Sequence, residues 1–255
     1  MDKGKRNLRV QKFLSQAGMA SRREAEGWIR EGRVEIHRKG LARRISAQIG
    51  EVVDPDEDGV FVDGVKIRET QKHVYYLFHK PKNVMVTRKD PENRPTIYDY
   101  LKGIPERVNY VGRLDFDSEG LILLTNDGTL HHRLTHPGSK VTKKYQVEVS
   151  CMGTSLKDAI CQLASGINIG DYVTAPCKIR ILRQGPKSTW VEMTLTEGKQ
   201  RQIRRMWDKI GFQTLRLLRV AIGPLNLGDL SKGRYRKLDD REIQLLEKGP
   251  IERSP

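Results

Sequence analysis

VGRLDFDSEGLILLTNDG, residues 111–128, joins a polar, glycine-flanked loop to a run that is apolar at every position but its last, LILLT (121–125). A short apolar run closed by the turn residues Asn126-Asp127-Gly128 reads as a strand. Asp115 lies in the loop ahead of it, where Gly112 permits close approach of the backbone to a ligand. An aspartate in a loop is ordinarily a turn or cap residue. The catalytic reading is the sharper alternative, because loops carry a disproportionate share of function.

Working outward, VYYLFHK (74–80) is a strand before the loop, and residues 129–136 form a short helix after it, stopped by Pro137. Lys144 to Val149 is a strand. Leu156, Ala159, Ile160 and Leu163 recur at helical spacing and end at Gly166. Val191, Met193 and Leu195 alternate along another strand, and Ile203, Met206, Trp207 and Ile210 mark a helix ending at Gly211. Several strands follow one another without a long helical crossover. Residues 71–243 therefore predict a mixed, largely antiparallel sheet with flanking helices. The charged end of the chain is expected to fray after Asp240, with residues 244–255 a tail outside the domain.

Residues 1–70 predict a separate, small module, so the class is α+β. Leu8, Phe13, Leu14 and Ala17 share a helical face before Gly18. Ser21 and Glu24 form an S-x-x-E capping box that opens a second helix. Its apolar face is Ala25, Trp28 and Ile29, and Gly32 ends it. Val34 and Ile36 alternate as a strand, and VFVDGVKI (60–67) reads as a hairpin turning at Asp63-Gly64.

The 255 residues hold 47 Lys+Arg against 32 Asp+Glu, a formal charge of +15. Such a surface attracts polyanions, of which RNA is the commonest in a cytoplasm. The charge is placed rather than spread: residues 1–44 hold 13 basic and 5 acidic residues, and residues 45–70 hold 2 and 7. Arg22 and Arg23 sit in the first turn of the second helix, where the macrodipole disfavours cations. Two solvated arginines are the bland reading; a phosphate held at that helix end is the one favoured here. Arg33, Arg38, Lys39, Arg43 and Arg44 extend the patch. Lys199, Arg201, Arg204 and Arg205 in EGKQRQIRRM (197–206) crowd another helix start, so they face RNA phosphate or a carboxylate unless the face is merely solvated. No run approaches the roughly 18 apolar residues of a membrane span. MDKGKRNLRV lacks the apolar core of a secretory signal. Cys151, Cys161 and Cys177, odd in number and without a CxxC pair, fit a reducing cytoplasm better than a disulfide framework or a zinc knuckle.

GRLD (112–115) running on to TNDG, KKY (143–145) and EGKQRQIRRM, in this order, resemble the RNA pseudouridine synthase family that includes the small-subunit enzyme A and the large-subunit enzymes B, E and F. The resemblance covers nearly the whole chain and leans to the large-subunit branch, with type B nearest. AGMASRREAEGWIREGRVEI (17–36) resembles the RNA-binding module named after ribosomal small-subunit protein four. That module usually continues with a V-x-V-N-G turn where this chain reads VEIHRKG (34–40), so the loop at 37–50 is expected to differ in register or in binding. The resemblance implies a catalytic carboxylate at Asp115, an aromatic base-stacker at Tyr145 and a basic partner for the carboxylate at Arg204. It implies a pocket that includes Arg113, Leu114 and a later apolar residue, Leu218 by first choice and Leu217 by second. With the charge pattern, it assigns RNA contacts to Arg22, Arg23, Arg33, Arg43, Lys199, Arg201 and Arg205. The partner implied is ribosomal RNA, with no metal, cofactor or membrane, for a monomer in the cytoplasm.

Isomerising uridine means breaking N1–C1′, turning the uracil and joining C5 to C1′. A carboxylate near the sugar serves as nucleophile or as base. A glycoside hydrolase would instead want two carboxyl groups at a set separation with room for water. Arg204 as an ion-pair partner would keep Asp115 ionised. The target base must leave its stack, and stacking on Tyr145 would return about 1–3 kcal/mol of that cost. Two other classes compete. One is a catalytically silent rRNA-binding or ribosome-assembly factor. The other is metal-dependent phosphodiester cleavage by Asp115, Asp117, His131, His132 and His136, disfavoured because adjacent histidines point apart on a helix and metal sites need convergent ligands.

Overall fold

Capping and turn chemistry shape the first unit. The computed structural model describes residues 7–68, 72–150 and 155–248; Cys151, the segment 69–71 and the tail beyond 248 lie outside the described residues. Ser21 Oγ accepts from Glu24 N (3.2 Å) and Glu24 Oε2 accepts from Ser21 N (2.7 Å), so the expected capping box forms. It opens α2 (Arg22–Arg30), which follows α1 (Val10–Gln16). Both helices and a four-stranded antiparallel sheet share one core that includes Phe13, Leu14, Ala25, Ile29, Val34, Ile36 and Val60. The sheet order is β3 (Ile45–Ser46), β2 (Val34–His37), β5 (Gly59–Val62), β6 (Val65–Ile67). Asp63 and Gly64 take positive φ of 47° and 80° at the β5–β6 turn, the geometry an Asp-Gly hairpin favours. Leu8 does not join α1 as expected. It opens β1 (Leu8–Arg9), paired with β4 (Val52–Val53), and Val10 N donates to Glu51 O (2.9 Å). Strand pairing therefore claims the backbone before the helix begins.

The chain divides into one unit up to Val74 that also takes Asn126–Gly128, and a second made of Tyr75–Thr125 and the chain from Thr129 on. The second unit carries a nine-stranded sheet. Its main order is β11 (Lys178–Gln184), β12 (Ser188–Leu195), β10 (Lys143–Ser150), β13 (Thr214–Ile222), β9 (Glu119–Thr125), β7 (Tyr75–Lys80), β15 (Tyr235–Lys237). β14 (Leu225–Asn226) adds to β13 and β8 (Asn109–Val111) adds to β9. All pairs are antiparallel except β13 with β9, as the mixed, largely antiparallel reading expects. β9 is buried at all seven positions, which explains its apolar run.

Helices α3 (Gly128–Thr135), α4 (Leu156–Ser165) and α5 (Gln202–Lys209) fall where the spacing places them. The end of the chain differs from expectation. Asp239 accepts from Glu242 N (2.7 Å), Glu242 accepts from Asp239 N (3.0 Å), and this second capping box opens α6 (Asp240–Glu247). Leu246 is fully buried in the core of the second unit, and Arg133 Nη1 donates to Glu247 O (2.8 Å). Residues 240–247 thus belong to the domain rather than to a fraying tail.

Candidate active site

The loop between β8 and β9 is bracketed by two glycines at positive φ, Gly112 (69°) and Gly120 (114°). A Cβ at Gly120 would lie 2.3 Å from Arg219 O, so glycine is required there by space as well as by conformation. Between them, buried cations hold the loop by its main-chain carbonyls. Lys80, fully buried at the end of β7, donates from Nζ to Pro81 O (3.0 Å), Phe116 O (3.2 Å) and Ser118 O (2.7 Å). Arg219 on β13, 2% exposed, donates from Nε to Leu121 O (2.8 Å) and from Nη1 to Arg113 O (3.4 Å). Arg204 on α5, 8% exposed, donates from Nη2 to Asp117 O (3.2 Å) and from Nη1 to Thr214 O (3.2 Å). Hydrogen bonds to charged groups contribute roughly 1.5–3 kcal/mol each, so these three side chains set the path of the loop. Burial pushes the Lys80 ammonium down to about 8, against the pull of Asp117, Asp115 and Glu119.

Held in this way, Asp115 borders a cavity of about 470 Å³ whose wall also includes Arg113, Leu114, Lys143, Tyr145, Leu217 and Arg219. Tyr145 is buried on β10, paired with Arg219 of β13 on one side and Met193 of β12 on the other. Lys143 is two residues earlier on the same strand face. Burial, and then the charge of Arg219, hold its ammonium below the usual lysine range. Arg219 Nη2 is buried and has no hydrogen-bond partner among the described residues. Glu197, a second carboxylate on the wall, is engaged by Ala175 N (3.0 Å) and by the Gln202 amide. Asp115 is the wall carboxylate whose side chain makes no hydrogen bond or ion pair among the described residues.

Two expectations about this site need correcting. Arg204 does not pair with Asp115. Its Nε meets Asp117 Oδ2 at 3.2 Å, and Arg201 Nη1 meets Asp117 Oδ1 at 3.2 Å, so Asp117 takes both arginines. α5 starts only at Gln202, after Arg201 in a left-handed conformation (φ 48°), and its first turn meets the loop at Asp117. Asp115 acts on Arg204 only as a charge at longer range. The second correction concerns Leu218, which does not line the cavity; Leu217 does. Leu217 is opposite Val147 and Leu218 opposite Gln146, so Leu217 shares the face of Tyr145 while Leu218 packs against the core.

The remaining basic residues divide into engaged and open. Arg22, Arg23 and Arg43 are exposed and without an acidic partner among the described residues. Arg33 is engaged within the module: Nη2 meets Asp63 Oδ2 at 2.7 Å, and its guanidinium lies 5.1 Å from the Trp28 ring centre. Arg38 pairs with Glu51 and Asp58, Lys39 with Glu57, and Arg44 with Glu35, so acidic residues neutralise the middle of that patch. Arg205 pairs with Asp171 and Arg201 with Asp117, whereas Lys199 is exposed on the cavity wall with no ion pair among the described residues. The five residues of the metal alternative do not gather. Asp117 is held by arginines, His131 Nε2 lies against Tyr110 O (3.1 Å), and His136 Nδ1 accepts from Gly138 N (3.1 Å). Lys80, Lys143 and Arg219 do not stand out from sequence. The available signal was a lysine ending the strand VYYLFHK and an arginine inside the apolar run of β13.

Residues 74–209 match the family model described as RNA pseudouridylate synthase, and residues 8–36 match that of the S4 domain. The chain is 36% identical over 240 residues to the ribosomal large subunit pseudouridine synthase B of Bacillus subtilis, covering 93% of this chain and 95% of that one. It is 39% identical over 242 residues to an uncharacterized RNA pseudouridine synthase of Aquifex aeolicus, covering 94% of each. A crystal structure of a pseudouridylate synthase superposes with a TM-score of 0.63 at 30% identity, covering 94% of this chain and 99% of that one. The chain belongs to the RNA pseudouridylate synthase family and carries an S4 domain ahead of the synthase domain. Its activity is that of an isomerase that makes pseudouridine in RNA.

Proposed function

We propose that this protein isomerises a uridine of large-subunit ribosomal RNA, as a cytoplasmic monomer, with Asp115 as its catalytic carboxylate. The observation that carries the reading is the uncommitted state of Asp115 on a loop fixed by buried cations, beside Tyr145. Relatives named for the large ribosomal subunit support the RNA class. No helix among the described residues is long and apolar enough to cross a membrane.

The flipped uridine enters the cavity with its base on Tyr145 and against Leu114 and Leu217. The Asp115 carboxylate acts at the sugar, as nucleophile at C1′ or as base at C2′, and N1–C1′ breaks. The departing uracil carries negative charge, which Lys143 and Arg219 on the wall stabilise. The uracil turns and C5 bonds to C1′, displacing the Asp115 oxygen in the nucleophile route or while Asp115 returns the proton to C2′ in the base route; the C5 proton leaves, and N1 gains one. Only one free carboxylate is needed, in keeping with the engagement of Asp117 and Glu197.

The test is Asp115→Asn, which is nearly isosteric. It should fold and bind transcribed large-subunit rRNA but neither release tritium from uridine C5 nor leave a mapped pseudouridine. Turnover above a few per cent of wild type in a clean preparation would overturn the assignment.

A further inference from the structure

We propose that Phe116 is a stacking platform for the nucleobase adjacent to the target uridine, and that the groove beside it takes the flanking RNA strand. The proposal rests on Asp115 being the reacting carboxylate. Phe116 is 38% exposed, whereas Leu114, Ser118 and Glu119 around it are buried. Its backbone is fixed: the carbonyl accepts from Asn83 N (2.8 Å) and from Lys80 Nζ (3.2 Å). A large apolar ring is thus presented to water from a main chain held in place. Side chains at successive loop positions diverge here. Asp115 borders the cavity and Phe116 does not.

Phe116 has a cationic neighbour. The Arg94 guanidinium lies 5.9 Å from the ring centre. Asp90 fixes it through Nη2 (2.9 Å) and Nε (3.0 Å), and Glu92 adds a third contact (3.0 Å). Arg94 lines an open groove together with Arg88, Lys89 and Lys102. The two carboxylates on that groove are already engaged, Asp90 by Arg94 and Asp99 in capping the turn Ile97–Tyr100. An exposed ring beside a guanidinium that lines a basic groove matches the stacking-plus-phosphate chemistry of single-stranded nucleic acid.

Geometry makes the neighbouring nucleotide the natural occupant. Extruding a uridine towards Asp115 leaves its neighbour without a stacking partner on one side. The residue covalently joined to Asp115 is then within reach of the nucleotide covalently joined to the uridine. Stacking on a phenyl ring tolerates any base, so this contact supports catalysis without dictating the neighbour's identity.

The experiment compares full-length wild type with Phe116→Ala, Phe116→Leu and Phe116→Trp on transcribed large-subunit rRNA, reading tritium release from uridine C5. Both Phe116→Ala and Phe116→Leu should lose roughly five- to a hundredfold in kcat/KM, the span expected of one base stack. Phe116→Trp should stay within about twofold, because it keeps an aromatic face. Leucine keeps apolar bulk without that face, so a merely structural role would be rescued by leucine. A second arm uses a synthetic hairpin spanning the modified uridine, abasic at its 5′ or its 3′ neighbour. The Phe116→Ala loss should vanish on one of the two. Leucine matching wild type, or a loss that persists on both abasic hairpins, would overturn the proposal. Asp115→Asn run in parallel separates the two readings: an inactive Asp115→Asn with unimpaired Phe116→Ala sinks only the platform, whereas an active Asp115→Asn sinks the carboxylate.

Discussion

Replacing Asp117 by asparagine separates the two carboxylates that stand two residues apart in the loop. In the structure Asp117 binds Arg201 and Arg204 while Asp115 faces the cavity. Removing one partner of a fully buried ion pair costs about 3–5 kcal/mol. Exposed pairs are worth only about 0.2–1 kcal/mol. Asp117 lies between these limits: its side chain is 40% exposed against 9% for Arg204. Arg204 also keeps its bonds to Asp117 O and Thr214 O, which asparagine does not disturb. The expected loss is therefore about 1–2 kcal/mol, read as a lowered urea midpoint. A full ångström of displacement at a reacting group costs about a hundredfold in rate. With the carbonyl anchors intact, kcat at saturating rRNA should fall by no more than about tenfold. Asp115→Asn should be inactive in the same tritium-release assay. An Asp117→Asn enzyme as inactive as Asp115→Asn, with an unchanged urea midpoint, would refute this division of roles.

Gly120→Ala should lower stability by at least about 3 kcal/mol, since it adds a positive-φ penalty to a Cβ placed 2.3 Å from Arg219 O; a melting curve that matches wild type would contradict the close approach. Burial pushes the Glu119 carboxyl up, but bonds to Arg216 and Lys232 outweigh it and bring it to about 2, below the ordinary 4.5. Its stabilisation is complete above pH 4.5, amounts to about 3 kcal/mol, and disappears as pH falls from 4.5 towards 2. Urea midpoints of wild type and Glu119→Gln should accordingly separate above that window and converge below it; a constant gap from pH 3 to pH 7 would argue against the coupling. R22Q/R23Q/R43Q should flatten the slope of log K for rRNA against log salt by about 2, at about 0.7–0.9 per phosphate contact, with an unchanged slope showing that other residues anchor the RNA.

Much of the fold was legible because its signals are local. Ser21 with Glu24, Asp63 with Gly64, and the apolar LILLT run each state their conformation within a few residues. What escaped depends on partners distant in sequence. β11 reads KIRILRQ, with charged and apolar residues too evenly mixed to mark a strand, because it is an exposed sheet edge. α6 looked like a charged tail, and only the burial of Leu246 reveals its docking. In the site, the motifs singled out Asp115 and Tyr145, and both line the cavity. The partner of Arg204 was not readable, since spacing alone cannot tell which of two nearby aspartates a helix will meet. The choice between Leu217 and Leu218 turned on strand register, which shifts between Lys144 and Tyr145 where β10 pairs with β13. An irregularity of that kind changes which residues face a cavity without leaving a mark in composition.

The grip on the Asp115 loop comes from cations far away along the chain: Lys80 is 38 residues from Ser118, Arg204 is 87 from Asp117, and Arg219 is 98 from Leu121. β7 and β13, which supply Lys80 and Arg219, are two of the three strands paired with β9. The conformation of the Asp115 loop therefore depends on strands on both sides of β9 being in place. Until both neighbours have paired, the loop lacks the cations that hold its carbonyls. A nascent chain carries Asp115 long before it carries Arg219. Tying the loop to residues synthesised about a hundred positions later makes the placing of Asp115 conditional on completing the domain.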